Sequence, residues 1–244
     1  MANMARIAFY SILLGFAPCL AAQRDAALTR DTSYVTCGSK PALSRTVTSD
    51  VFVSPDGKRR AYTRGTARLV RAGANPERAS AMCVNNSSLF VSSKGDSFEL
   101  VFLEEANDSE TGNSLRIVDW SGDSRRLLLE LAQWQYDSPG ATRTPLIYQA
   151  EAGVFEQPDL SRSFHKQYGL NCSLDVHVAG FSNEDKIIVE TEPLTPEEEE
   201  VLATPSCARK KSQWTVNSRT ESIVQTPETA KLIHNAKIVP RSEK

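Results

Sequence analysis

The first residue to consider as a chemical group is Asp56, which lies in SPDGKRRAYTRG (Ser54 to Gly65) beside Lys58, Arg59, Arg60 and Arg64. An acid next to a cluster of bases could form a site, yet its immediate neighbours describe a turn. Pro55 pre-sets the backbone of the second turn position, Asp56 can accept from nearby amides, and Gly57 tolerates positive φ. The other reactive residue types give no firmer signature. No Gly-x-Ser-x-Gly elbow occurs, and a triad would have to draw on His165, His177 or His234. His177 alternates with Asp175 in Leu174-Asp-Val-His-Val178, which places both on one strand face as a surface pair. The histidines lack His-x-x-x-His spacing, the acids show no calcium-loop pattern, and glycine-rich phosphate loops are absent. Among 30 acids no pair is singled out for glycoside chemistry. The sequence therefore predicts no catalytic, cofactor-binding or metal site, and favours a protein that is not an enzyme.

The elements that carry these residues are short. Apolar residues after position 45 alternate with polar ones in runs such as Val51 to Val53, Phe98 to Leu103, Leu115 to Asp119 and Leu174 to Val178, bounded by Gly, Pro, Asp, Asn and Ser. A period of two over about five residues predicts half-buried strands. The opening turn also has relatives: SPDGK (Ser54 to Lys58) matches SGDSR (Ser121 to Arg125) and SNEDK (Ser182 to Lys186), at spacings of 67 and 61 residues. All three read Ser-x-acid-x-base, through Ser54, Asp56 and Gly57, then Ser121 and Asp123, then Ser182 and Glu184. Each follows a large apolar residue (Val53, Trp120, Phe181) and precedes a strand, so the repeating unit is a hairpin with one kind of turn.

In these residues the chain resembles the TolB-type, WD40-like propeller repeats of bacterial exported proteins, where a Ser-Pro-Asp-Gly-Lys/Arg turn follows an aromatic or aliphatic strand end. The second copy has Gly122 and Ser124 in place of Pro and Gly; the third has Asn183, Glu184 and Asp185. The resemblance implies a scaffold role without naming a partner. The fold expected is all-β and propeller-like, with about three four-stranded blades in units near 45–105, 114–160 and 172–225. The blades would be open, partial or completed by dimerisation, because closed propellers use four to eight. A β-sandwich is the alternative. The expected strands are 47–53, 59–64, 88–92 and 97–104; 114–120, 126–132, 145–150 and 153–156; and 174–181, 186–191, 212–217 and 220–225. Thr195-Pro196 before Glu197 to Glu200 predicts a short capped helix. The tail from 226 to 244 reads as a helix or as a strand that closes a sheet.

Residues 1–22 carry one arginine, an apolar run from Ile7 to Leu20 and small residues at the end, the pattern of a secretory signal peptide. Pro18 before Cys19 disfavours a lipid anchor, and no later run is long enough to span a bilayer. Removing residues 1–22 takes one base and no acid from 28 and 30, leaving a formal charge of −3 and no case for nucleic acid. Four cysteines remain, Cys37, Cys83, Cys172 and Cys207, and an even count in an exported chain predicts two disulfides. Cys37 and Cys83 flank the first turn and Cys172 and Cys207 the third, so pairing within each unit is preferred among three connectivities. Asn-x-Ser sites at Asn85, Asn86, Asn107 and Asn171 matter only in a eukaryotic secretory route.

Charge is uneven along the chain: residues 58–78 carry a net +6 and residues 184–200 a net −7. Both segments can be solvated faces, or the basic first unit can meet the acidic third unit of another copy in a homodimer. Trp120 and Trp214 read as core, whereas Trp134 and Tyr136, in an expected loop, read as contact surface together with Arg59, Arg60 and Arg64. The function expected is an exported binding or scaffold module acting through its loops on a protein or envelope component. The alternative is a secreted hydrolase for peptide or glycan with a site between blades.

Overall fold

The computed structural model of the chain describes residues 45–72, 80–93, 95, 97–106, 111–135, 141–182, 186–218, 220, 222–226, 232 and 234–241. The alternating runs form strands β1 (Arg45–Thr48), β2 (Val51–Val53), β3 (Arg60–Ala72), β4 (Ser80–Ser92), β5 (Glu99–Glu105), β6 (Thr111–Trp120) and β7 (Arg126–Gln135). They continue as β8 (Ala141–Gln149), β9 (Val154–Glu156), β10 (Asp175–Phe181), β11 (Ile187–Glu192), β12 (Ser212–Val216), β13 (Ile223–Thr226) and β14 (Lys237–Val239). Two helices, α1 (Leu160–Tyr168) and α2 (Pro196–Leu202), interrupt the series.

The protein is all-β; among the described residues three antiparallel meanders form three sheets and no closed barrel. Sheet 1 runs β14-β2-β3-β4-β5 with β1 also on β3, sheet 2 runs β6-β7-β8-β9, and sheet 3 runs β10-β11-β12-β13. Strands β1 and β2 are two halves of one interrupted inner strand, pairing with the far part of β3 (Thr48↔Arg64) and its start (Phe52↔Ala61). Ser49 spans the break, its N–H donating to the Thr63 carbonyl and its Oγ accepting from the Thr63 N–H, both at 2.9 Å.

The three sheets repeat in register as well as in strand count. The inner strands end at Val53, Trp120 and Phe181, opposite Arg60, Leu127 and Ile187. One residue earlier, Phe52, Asp119 and Gly180 face Ala61, Leu128 and Ile188. Just before that point the register slips by one in β6 (between Ile117 and Asp119) and in β10 (between Val178 and Gly180), a bulge that bends the strand. In sheet 1 the same slip falls at the break between β1 and β2.

Sheet 2 is covered on both faces. Leu115, Ile117, Leu127, Leu129, Leu131 and Tyr148 pack on Phe52, Ala61, Leu89 and Val91 of sheet 1. From the opposite face Val118, Leu128 and Ile147 pack on Val178, Phe181, Ile187, Val189, Trp214 and Val216 of sheet 3. The run Arg126–Gln135 explains this: five successive apolar or acidic residues from Leu127 to Leu131 are all buried, the pattern of a strand packed on both sides. Trp120 and Trp214 are core residues, as expected.

Several boundaries differ from the sequence reading. Strands β3 and β4 run to 13 residues each, well past the expected 59–64 and 88–92, through Arg- and Asn-containing stretches that lack clean alternation. Helix α1 was not expected. Its Leu160 and Phe164, one turn apart, seat on sheet 3, Asp159 caps it by accepting from the Arg162 N–H, and Gly169 at φ 89° ends it. Helix α2 forms with the expected capping box between Thr195 and Glu198. Cys172 and Cys207 are disulfide-bonded within the third unit, which places folding in an oxidising environment. Cys83 is also disulfide-bonded, while Cys37, Glu184, Tyr136 and the expected signal peptide lie outside the described residues. Among the described residues no helix is long and apolar enough to cross a membrane.

Candidate functional site

The first two repeat turns are the same structure. In the first, Ser54 Oγ donates to Asp56 Oδ1 (2.6 Å) and accepts from the Arg59 N–H (3.0 Å), while Asp56 Oδ1 also accepts from the Lys58 N–H (3.0 Å). In the second, Ser121 Oγ donates to Asp123 Oδ1 (2.6 Å) and accepts from the Arg126 N–H (2.9 Å), with Asp123 Oδ1 accepting from the Arg125 N–H (3.1 Å). The left-handed position is taken by Gly57 (φ 71°) and by Ser124 (φ 63°). The Ser54 hydroxyl, then the Lys58 amide, hold Asp56 below the usual carboxylate range. At Asp123 partial burial works the other way but is outweighed by the Ser121 hydroxyl and the Arg125 amide. These carboxylates are turn groups. In the third turn the Ser182 N–H reaches the Lys186 carbonyl (2.7 Å), where the equivalent bonds run Ser54 to Arg59 and Ser121 to Arg126. The third turn is therefore one residue shorter, and Lys186 holds the place of Arg59 and Arg126 rather than of Lys58 and Arg125.

Polar side chains couple neighbouring sheets at matching heights. The Asp56 N–H donates to Ser124 Oγ (3.0 Å) and Arg59 Nη1 to the Ser124 carbonyl (2.9 Å), joining first turn to second. Buried Asn85 holds the backbone of Asn113, its Oδ1 accepting from the Asn113 N–H (3.0 Å) and its amide donating to the carbonyl, so this Asn-x-Ser asparagine is committed to the interior. Between sheets 2 and 3, Arg116 and Glu130 pair at 3.1 Å and grip Val178: Arg116 Nη2 donates to its carbonyl (2.9 Å) and Glu130 Oε2 accepts from its N–H (2.6 Å). The pair thereby ties sheet 2 to the backbone of β10 at one position.

The C-terminal tail crosses the inner strands of all three sheets, in the order third, second, first. Leu232 Cδ2 lies 3.2 Å from where a side chain on Gly180 would begin. The carboxylate of Asp119 accepts from the N–H of Asn235 (3.0 Å) and of Ala236 (2.9 Å), and Asn235 Nδ2 donates to the Trp120 carbonyl (3.0 Å). Strand β14 then pairs with β2 (Ile238↔Phe52), so residues 237–239 of the tail are a strand, while 227–231 and 233 lie outside the described residues. The contacted residues Gly180, Asp119 and Phe52 are the same position of the repeat. Burial raises the Asp119 carboxyl above its usual range, against the opposing pull of the Asn235, Ala236 and Trp120 amides. Arg241 ends over the Tyr62 ring, 4.1 Å from its centroid.

At the end of the sheets opposite the turns lies a cleft of about 730 Å³, bounded by the start of β6, the end of β7, the start of β8, α1 and the Cys172–Cys207 segment. Trp134, Arg143, His165, Asp175 and Glu198 line it. Trp134 is in strand β7, not in a loop as expected, and it is half-buried because it lies across Gly112, its register partner. A Cβ on Gly112 would stand 2.4 Å from the Trp134 indole nitrogen, so only glycine fits. Arg143 pairs with Asp175, whose other oxygen meets His177 Nε2 at 2.9 Å. Burial alone would raise Asp175, but the His177 bond and the Arg143 charge hold it below the usual range. Asp175 and His177 are thus the expected one-face pair, joined to a third residue that the sequence does not place near them. Among the described residues no three His, Cys, Asp or Glu side chains gather as a metal site.

Arg59 reaches the second turn and lies 3.8 Å from Glu151, whereas Arg64 stacks on Phe90, its Cζ 4.7 Å from the ring centroid, on the face of sheet 1 that sheet 2 does not cover. Arg60 is half-buried at the start of β3, opposite Val53. The structure therefore divides the five expected partner-binding residues: Arg59 in the turns, Arg60 and Arg64 on an open sheet face, Trp134 in the cleft, and Tyr136 outside the described residues. Fold and cleft together define an all-β protein of three repeated antiparallel meanders stacked about a common inner edge. No family model, curated protein or solved structure matches the chain.

Proposed function

We propose that this chain is an exported, non-enzymatic, β-propeller-like module of the TolB type that binds a segment of an envelope protein in the cleft between sheets 2 and 3. The observation that supports the reading is the state of three of the cleft's carboxylates. Asp175 is held by Arg143 and His177, Glu104 by Gln133 Nε2 (2.7 Å), and Glu198 by the Thr195 cap (2.8 Å). Carboxylates tied in this way present a shaped polar surface beside the Trp134 ring. A concave site with one aromatic anchor and a few fixed polar groups suits recognition of an extended peptide.

A photo-crosslinking residue at exposed Gln133 in the cleft wall tests this. Expected is one crosslinked envelope protein, lost with Trp134→Ala and absent when the crosslinker is placed at Lys58 among the turns. Release of peptide or reducing sugar from envelope polymers, abolished by the same cleft substitution, would replace this reading with the hydrolase.

A further inference from the structure

Sheets 1 and 3 each leave one face uncovered by another sheet, and the repeat register shows what those faces would meet if the stack continued. On the face of sheet 2 that packs on sheet 1, the successive residues of β7 are Leu127, Leu129 and Leu131. The same positions in β3 are Arg60, Tyr62 and Arg64, and they point away from sheet 2. The leucines are received by the face of sheet 1 that carries Ala61, Thr63 and Gly65; the same positions in β11 are Ile188, Glu190 and Glu192, and they point away from sheet 2. Where the leucines make one interior junction apolar, one free end of the stack thus carries Arg60 and Arg64 and the other carries Glu190 and Glu192, which share Lys211 between them (2.7 and 2.9 Å).

Two further observations say that these ends are made for contact. The face of sheet 1 away from sheet 2 carries an aromatic cluster, Tyr62 stacked on Phe90 (4.9 Å) and edge-on to Phe98 (4.9 Å), beside Leu100, which is 53% exposed; Tyr62 itself is buried beneath Arg241 of the tail, so this face offers Arg64, Phe90 and Leu100. Arg64 lies over Phe90 and forms no ion pair among the described residues. On sheet 3, Glu190 and His177 face each other in register as Glu130 and Arg116 do in sheet 2, where that pair grips the backbone of the following sheet. Sheet 3 thus carries polar groups at the coupling position, with Glu190 bonded to Lys211 and Gln213 and His177 to Asp175.

We infer that the occupant is a second copy of this chain, the Arg60–Tyr62–Arg64 face of each copy docking on the Glu190–Glu192 face of the other. The contact is heterologous, and it closes at two copies because both ends of each stack are then covered, giving six sheets around a two-fold axis. Six lies within the four to eight blades that close a propeller. Both strapping tails would lie inside the ring, each along its own three inner strands. The docking face adjoins the cleft at one point, the Asp175–His177 pair.

Light scattering on the size-fractionated chain tests it across salt. Screening contracts from about 10 Å at 0.1 M to about 3 Å at 1 M, so a two-copy mass at low salt is expected to weaken as salt rises. Arg64→Glu alone and Glu190→Arg alone are each expected to give one-copy masses, with circular dichroism unchanged. Mixing the two variants restores the two-copy mass, because one junction is then native and the other charge-reversed on both sides. A one-copy mass for the native chain at low salt and high concentration overturns the inference. So does a mass that grows past two copies, a two-copy mass that both single variants keep, or a mixture that stays at one copy.

Discussion

At the scale of single residues, Ser121 shows how the repeat is written. Fully buried, it donates to Asp123 and accepts from the Arg126 amide, closing the turn from inside. Ser121→Ala leaves that amide and one carboxylate lone pair without a partner, a loss of about 1–3 kcal/mol in denaturant melts. Its unfolding midpoint is expected to drop while the denaturant dependence stays native; an unchanged midpoint would show that the hydroxyl does not hold the turn. Ser54, Asp56, Ser121 and Asp123 were legible because turn chemistry uses few residue types at fixed offsets. The third turn was read with the right serine but one residue too long, since Asn183, Glu184 and Asp185 all suit a turn and none fixes its length. Trp134 was recognisable as an anchor but not as a strand residue, because its packing depends on the absence of a side chain at Gly112, on another strand.

Among the elements, the strap is what the sequence conceals. Thirteen of the fourteen described strands lie in the three expected units, within a few residues for most, because each holds a short alternating or apolar run bounded by turn residues. Leu232 and residues 234–241 have no such period; they are held mainly by backbone amides to Asp119 and a three-residue ladder on β2, joined by Leu232 over Gly180, the Asn235 side chain at Trp120 and Arg241 over Tyr62. A segment held by its backbone has no side-chain pattern to read. Asp119 carried the one available signal, an acid among the apolar residues Ile117, Val118 and Trp120, and an acid buried there has to accept bonds from somewhere. Ending the chain at Thr226 removes the strap while leaving all three meanders intact. Hydrogen exchange is expected to quicken at Phe52 and Val53 in the exposed β2 edge and to stay native in β12 and β13, the strands farthest from the strap. Equal exchange in β2 with and without residues 232–241 would mean that β14 adds no stability to the inner edge.

For the whole molecule, the shared middle sheet predicts one unfolding transition rather than three. Leu127, Leu129 and Leu131 belong to the core with sheet 1, whereas Leu128 belongs to the core with sheet 3, so sheet 2 cannot loosen without opening both. The response to acid follows from carboxylates distributed over the same frame. Asp56, Asp123, Asp175 and Glu190 are all held below their usual ranges, Glu190 against burial by its bonds to Lys211 and Gln213. A carboxyl with a lowered folded value stabilises the fold above its unfolded value, about 4, and loses that contribution as pH falls through the folded one. Asp119 runs the other way: its raised value means that the folded chain binds the proton more tightly, so its contribution is fullest in acid and is lost as pH rises. Four groups oppose one, and the transition temperature is expected to fall as pH drops from about 5, one unit above the unfolded value, through the lowered folded values. Removing the opposing group sharpens the test: in Asp119→Asn the fall over the same interval becomes steeper than in the native chain, even though the variant starts from a lower temperature at pH 6. A shallower fall would assign the acid response to the strap at Asp119 and not to the turns and the sheet 3 face.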